Sequence, residues 1–131
     1  MKIEQFEDIE IWQEARKLTQ IVFKISSSWQ FNKDFRFRDQ IRAASGSIMD
    51  NTAEGYGRGG NREFINFLSI AKGSNEEVRS QSYRAYDFNY IDKDTIDELL
   101  ELTNKISRKI SSLIQYLKNS SQKGPKFNTG K

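Results

Sequence analysis

Residues 40–78 read QIRAASGSIMDNTAEGYGRGGNREFINFLSIAKGSNEEV, and they hold two amphipathic segments on either side of a glycine-rich turn. Apolar residues recur at steps of three or four on both sides of this turn, as on one face of an α-helix. The four glycines within 55–60 interrupt the pattern. We therefore predict a helical hairpin with helices over 34–54 and 61–88. Its core stripes are Phe37, Ile41, Ala44 and Ile48, then Phe64, Phe67, Ala71, Ser74, Val78, Gln81 and Ala85.

Two more helices are expected outside this hairpin, over 9–27 and 93–118. The first carries a heptad-like stripe that begins at Ile11 and Ala15, with Asp8 as its expected N-cap. No strand pattern competes, and the single proline is Pro125. The short connections favour antiparallel neighbours, so the predicted fold class is all-α, an antiparallel up-and-down four-helix bundle. A loop is expected to plug one end of the bundle with Trp29, Phe31, Phe35 and Phe37.

The composition excludes several classes of active site. The chain has no cysteine and no histidine, so disulfides, Ser–His triads and the usual zinc sites are ruled out. We therefore expect no enzyme activity, no cofactor and no metal site, although carboxylate-only binding of Mg²⁺ or Mn²⁺ is left open. The candidate carboxylates for such a site are Glu54, Glu77 and Asp50, and those for a small-molecule site are Glu54 and Glu77.

The charge is unevenly distributed along the chain. The net charge is +3, and four lysines without any acid lie within 118–131. We expect a bundle domain over 1–119 and a disordered basic tail over 120–131. No apolar run is long enough for a transmembrane helix and the N-terminus lacks a signal-peptide core, so a cytoplasmic location is expected.

The middle of the chain also carries polar residues and a glycine on helix faces. Gly46 costs about 1 kcal/mol relative to alanine inside a helix, which suggests a close approach to a neighbouring backbone. Polar groups on a core face need partners. We expect mutual hydrogen bonds among the set, which would fix helix register; a ligand or partner site is the alternative. The set comprises Asn51, Glu54, Arg58, Ser74 and Glu77.

Basic residues cluster in the same region, around Tyr56. Arginines interleaved with an aromatic residue can hold phosphate and stack on a base. The candidate nucleic-acid-binding residues are Arg36, Arg38, Arg42, Arg58, Arg62, Lys72 and Arg79. Acidic residues are interspersed among them, so a salt-bridged solvent face is the alternative interpretation.

These motifs resemble those of a known family. The first half of the stretch is similar to the signature QIRRAAxSIxxNIAEGxxR, with matches at Gln40, Ile41, Arg42, Ser47, Ile48, Asn51, Ala53, Glu54, Gly55 and Arg58. The second half matches at Glu63, Phe64, Phe67, Leu68, Ala71, Gly73, Ser74 and Glu77. The chain resembles, over about 6–117, the proteins encoded within intervening sequences of bacterial large-subunit ribosomal RNA genes. A more distant similarity is to the accessory variability proteins of diversity-generating retroelements.

The resemblance implies a four-helix bundle that assembles as a homopentameric ring with a central channel and has no known enzymatic activity. It implies a basic surface for structured RNA or DNA, and a protein partner. The carried-over signature positions are Asn51, Glu54, Gly55, Arg58, Gly73, Ser74 and Glu77. Ala43 departs from the signature because it replaces an arginine, which removes one positive charge. The sequence thus favours a nucleic-acid-binding or scaffold oligomer, with a protein-interaction adaptor as the alternative.

Overall fold

The computed structural model describes the backbone of residues 3–123 and the side chains of residues 3–120. A 3₁₀ turn, Phe6–Asp8, precedes five α-helices, and no strand occurs within the described residues. The helices are α1 (Glu10–Ser26), α2 (Trp29–Lys33), α3 (Phe35–Gly57), α4 (Asn61–Asp87) and α5 (Lys93–Lys123). The expected basic tail lies outside the described residues beyond 123, and its first four residues, 120–123, belong to α5.

The four long helices form an all-α bundle, as predicted. α3 packs against α4, α4 packs against α5, and α1 closes the bundle against α3 and α5. The contacts run antiparallel: Thr19 and Ser26 of α1 meet Met49 and Arg42 of α3, in that order. The core between the helices is mainly apolar, with Leu18, Ile41, Leu68 and Ile106 among its fully buried members.

The helix starts differ in part from the predictions. Asp34 caps α3 by accepting a 3.4 Å hydrogen bond from the backbone N–H of Phe37, while Asp92 caps α5 through Thr95. Asp8 was expected to cap α1, but it does not. Its carboxylate accepts backbone hydrogen bonds from Glu4 and Gln5 instead, so it stabilises the 3₁₀ turn before α1.

The end of the bundle between α1 and α3 is closed by only half of the predicted aromatic plug. Phe31 and Phe37 are buried and stack on one another at a centroid distance of 5.0 Å, and Tyr90 stacks on Phe31 at the same distance. Trp29 and Phe35 are exposed. The connection is also helical rather than a loop: α2 is a short helix that turns the Phe31 ring inward.

The prediction of a close approach at Gly46 was wrong. A Cβ atom built on Gly46 would meet nothing within 4 Å. The close approach occurs instead at Gly55, near the C-terminal end of α3. A Cβ atom there would lie 2.6 Å from Cβ of Phe67 and 3.0 Å from Cδ1 of Phe64. Only glycine therefore allows α3 and α4 to come this close beside the turn.

The core face of α4 is rotated slightly from the predicted stripe. Leu68 and Asn75 are fully buried, whereas Phe67 and Ser74 lie at the edge of the core. Asn75 donates a 2.8 Å hydrogen bond to the carbonyl oxygen of Thr103 on α5. A buried amide with one matching partner penalises a shifted pairing of the helices, so it helps to fix the register of α4 and α5.

Candidate nucleic-acid interface

Arg42 lies where α1 and α3 cross, and it is held by neutral groups. Its Nε donates to Oγ of Ser26 at 2.8 Å, and its Nη2 donates to Oγ of Ser27 at 3.0 Å. The guanidinium also lies over the ring of Phe23, with Cζ 4.5 Å from the ring centroid. No described carboxylate pairs with Arg42, so its positive charge is held in place without being neutralised.

Arg36 and Arg38 lie one helical turn closer to the start of α3. Arg38 donates to the backbone and side-chain oxygens of Asn32 at 3.2 and 3.1 Å, which joins α3 to α2. Its Nε also pairs with Asp39 at 3.0 Å. Arg36 is exposed and has no ion pair with any residue in the described part of the chain. Arg38 and Arg42 therefore join helices to one another and also carry positive charge, whereas Arg36 contributes only its charge.

Residues 22–42, which we call the basic end, carry five basic and two acidic residues. The rest of the chain before Lys118 carries twelve basic and sixteen acidic residues. The segment 22–42 is therefore net positive, and the rest of the chain before Lys118 is net negative. Tyr90 donates to Asp34, which places the acidic α4–α5 connection, with Asp87, Asp92 and Asp94, at the same end of the bundle. Positive charge gathered on one part of a surface is the usual footprint of nucleic-acid binding.

The other predicted basic residues lie elsewhere. Arg58 and Arg62 flank the glycine turn at the opposite end of the bundle, and Arg58 pairs with Glu54 at 2.9 Å. The hydrogen bond to Glu54 raises the pKa of the Arg58 guanidinium. Lys72 lies midway along α4 without an ion pair in residues 3–120. Arg79 donates to the Leu100 carbonyl and the Thr103 hydroxyl at 3.1 and 3.3 Å, so it joins α4 to α5.

The signature polar residues form three separate groups rather than one network. Asn51 donates to the carbonyl and hydroxyl oxygens of Ser47 at 2.8 and 2.9 Å, and Ser74 donates to the same hydroxyl at 2.9 Å. Ser47, which was not among the predicted site residues, thus bridges α3 to α4. Its signal was its place within the matched motif.

Glu77 and Gly73 lie outside this bridge. Glu77 accepts a 3.3 Å hydrogen bond from Gln81 on its own helix, and Glu54 pairs with Arg58 as described. A Cβ atom on Gly73 would meet nothing within 4 Å. Glu54 and Glu77 therefore have separate partners, and no group of three or more acidic side chains that could hold a metal, with or without Asp50, occurs in the described region.

A groove of about 720 Å³ runs between the start of α1 and α5. Lys109 pairs with Glu10 across it at 2.6 Å, and this ion-paired hydrogen bond holds the pKa of Glu10 below its ordinary value. A second groove of about 570 Å³ lies beside Arg42, with Thr19, Phe23 and Gly46 in its walls. The absence of a side chain at Gly46 keeps the floor of that second groove low.

Sequence reasoning missed two contributors to the basic end. The sequence pattern does not indicate that the exposed ring of Phe23 lies under Arg42, and the serines at 26–28 indicate only the end of a helix. Their signal was a phenylalanine on the polar side of the α1 stripe, followed by consecutive hydroxyl groups.

None of the helices within residues 3–123 has a stretch long and apolar enough to cross a membrane.

Comparisons with known proteins agree with this architecture. The sequence model of a family described as 23S rRNA-intervening sequence protein matches residues 7–112, which is most of the chain. A solved structure from Bacteroides thetaiotaomicron, described as a protein with unknown function from the S23 ribosomal protein family, has the same fold. Its TM-score is 0.73 at 21% identity, covering 80% of this chain and 95% of that one. Comparison with curated proteins finds no match.

Proposed function

We propose that this chain, which belongs to the 23S rRNA-intervening sequence protein family, is a non-enzymatic homo-oligomeric bundle that binds structured RNA or DNA and works in the cytoplasm. The family name refers to ribosomal RNA and assigns no catalytic role. The solved relative is itself described as having unknown function. The proposal therefore depends on the chemistry of this chain's own surface.

The observation that carries the proposal is the un-neutralised Arg42 of the basic end, where α3 meets α1. Serine hydroxyls fix its guanidinium in position, while Arg36, six residues earlier on α3, has no ion pair among the described residues. Fixed guanidinium groups bind phosphate oxygens through charge-assisted hydrogen bonds, and little side-chain entropy remains to be lost.

The homo-oligomer part of the proposal is supported by the outer face of α4. Gly73 lies in the middle of a long helix, where glycine costs about 1 kcal/mol relative to alanine, yet no described atom occupies the space of its missing side chain. Ile70, one turn away, is 53% exposed. A second copy of the chain packed on this face would account for both features, and the resemblance to pentameric proteins favours five copies.

Fluorescence anisotropy with labelled RNA and DNA hairpins tests the binding part. We expect wild-type protein to bind both at low salt, and we expect the double variant Arg36→Gln with Arg42→Gln to bind several-fold more weakly. The double variant Arg58→Gln with Arg62→Gln, which removes the same charge from the opposite end, is the matched control and should retain most of the affinity. An equal loss in both double variants would contradict the assignment of binding to the basic end.

The alternative is a protein-interaction adaptor that binds no nucleic acid. Wild-type protein that retains a partner after nuclease treatment, but binds neither hairpin at low salt, would establish that alternative. Light scattering coupled to size exclusion tests the oligomer separately: a mass near 15.3 kDa would contradict self-association, and a fivefold multiple would support the pentamer.

A further inference from the structure

Three large aromatic side chains are exposed at the basic end. Phe23, Trp29 and Phe35 have 59%, 74% and 64% of their surface accessible, and we call them the aromatic rim. They lie on α1, α2 and α3, within thirteen consecutive residues of the chain. Large apolar groups gathered on the surface of a small domain usually mark a binding site.

Each ring of the aromatic rim has a cation beside it. Cζ of Arg42 lies 4.5 Å from the ring centroid of Phe23. Nζ of Lys33 lies 3.7 Å from the ring centroid of Trp29. Cζ of Arg38 lies 5.1 Å from the ring centroid of Phe35. Such a pair offers a flat apolar face and a positive charge side by side. This combination suits a ligand that carries a planar ring next to a phosphate.

The three helices that carry the aromatic rim are joined to one another by hydrogen bonds. Arg42 joins α3 to α1 and Arg38 joins α3 to α2, so the same arginines that approach the rings also hold their helices together. Beneath them, Phe31, Phe37 and Tyr90 form a stacked aromatic layer. The rings therefore belong to a packed structure and are available for binding without refolding.

We infer that the aromatic rim binds unpaired nucleotides, with bases stacked on Trp29, Phe35 and Phe23 and phosphates held by Arg36 and Arg42. The inference rests on the proposed nucleic-acid binding and refines it. Bases inside a duplex already have both faces stacked, so only unpaired bases can use these rings. The net positive charge of the basic end favours a nucleotide strand over an apolar protein segment, which would bury these cations without partners.

The test compares a single-stranded RNA with a stable RNA hairpin stem of equal phosphate count, by anisotropy at one salt concentration. The variants are Trp29→Ala, Phe35→Ala and their combination in the full chain, with helix content checked by circular dichroism. Tyr116→Ala removes an exposed ring on α5, outside the basic end, and is the matched control. A second readout uses Trp12→Phe, which leaves Trp29 as the only tryptophan and reports stacking as quenched fluorescence.

We expect the combined variant to lose about tenfold or more in affinity for the single strand and less than twofold for the stem. The single strand should also quench Trp29, and Tyr116→Ala should change neither affinity. Equal effects on the two RNAs, or no quenching, would overturn the stacking inference while salt-dependent binding of both would preserve the proposed function. Failure of wild-type protein to bind either RNA would overturn both.

Discussion

The Nε atom of Arg42 donates a 2.8 Å hydrogen bond to the Oγ atom of Ser26, and this bond joins α3 to α1 through a neutral hydroxyl. A carboxylate at the same place would have cancelled the charge of Arg42. The serine holds the guanidinium without cancelling it, and the Ser26 hydroxyl donates in turn to the carbonyl oxygen of Phe23. The local sequence thus produces a positioned and un-neutralised cation at the surface.

Substitution of Arg42 should separate its charge from its geometry. Arg42→Gln removes a positive charge, so the slope of log affinity for RNA against log salt should become shallower by about 1. Arg42→Lys keeps the charge but cannot bond both Ser26 and Ser27 in the same way. Its salt slope should match that of the wild type while its affinity is lower. Identical slopes for Gln and Lys would contradict a phosphate contact at this position.

Gly55→Ala should destabilise the bundle by about 1–3 kcal/mol, because its new Cβ would overlap Cβ of Phe67 and push α3 away from α4. The urea midpoint measures this loss. Gly57→Ala is the control, since its Cβ would meet nothing within 4 Å and should leave stability unchanged or slightly higher. A Gly55→Ala protein as stable as the wild type would mean that the two helices can separate at no cost.

Gly73→Ala should have opposite effects on folding and on assembly. Its Cβ meets no described atom, so the isolated chain should gain up to about 1 kcal/mol from helix propensity. If the outer face of α4 packs against another copy, the same methyl group should weaken the oligomer, which light scattering over a dilution series would detect. Gly46→Ala makes the same change on the α1 side of α3 and should leave assembly intact. Unchanged assembly in the Gly73 variant would remove the outer face of α4 as the interface.

The Glu10–Lys109 pair predicts a pH dependence of stability. The hydrogen bond from Lys109 lowers the pKa of Glu10 in the folded protein. A lowered folded pKa means that the stabilisation is complete above the ordinary glutamate value and is lost as pH falls through the folded value. The urea midpoints of wild type and Glu10→Gln should therefore differ at neutral pH and converge in acid. Glu101→Gln, at an exposed site without a described ion pair, should show no such convergence.

The helical framework could be predicted because the apolar spacing is regular and the turn glycines interrupt it. The boundaries of α3 and α4 follow Asp34 and the glycines at 55–60 closely. The face of α4 was harder, because Asn75 is polar and yet fully buried, and its partner is a backbone carbonyl on α5. Periodicity alone favoured its neighbour Ser74. Tertiary pairing therefore decided a rotation that local sequence left open.

The types of residue in the candidate site could be predicted from the sequence, but their positions in the bundle could not. Proximity in sequence grouped Arg38 with Arg58, but α3 carries them to opposite ends of the bundle. Gly46 and Gly55 both lie within α3, and only the structure shows which of them faces Phe67. The exposure of Trp29 could not be predicted either, because an aromatic residue beside a connection between helices more often packs over the end of the core. Side-chain direction at these positions depends on how α2 turns between α1 and α3.

The salt dependence of RNA binding by the wild-type protein tests the central proposal most directly. Anisotropy with a labelled RNA hairpin that carries a single-stranded extension, measured from about 50 to about 200 mM NaCl, gives the slope of log affinity against log salt. The predicted result is measurable binding at the low end, with a slope of about −2 to −3 if the basic end neutralises three phosphates. Absence of binding at the lowest salt, or an affinity that does not change with salt, would contradict the proposal.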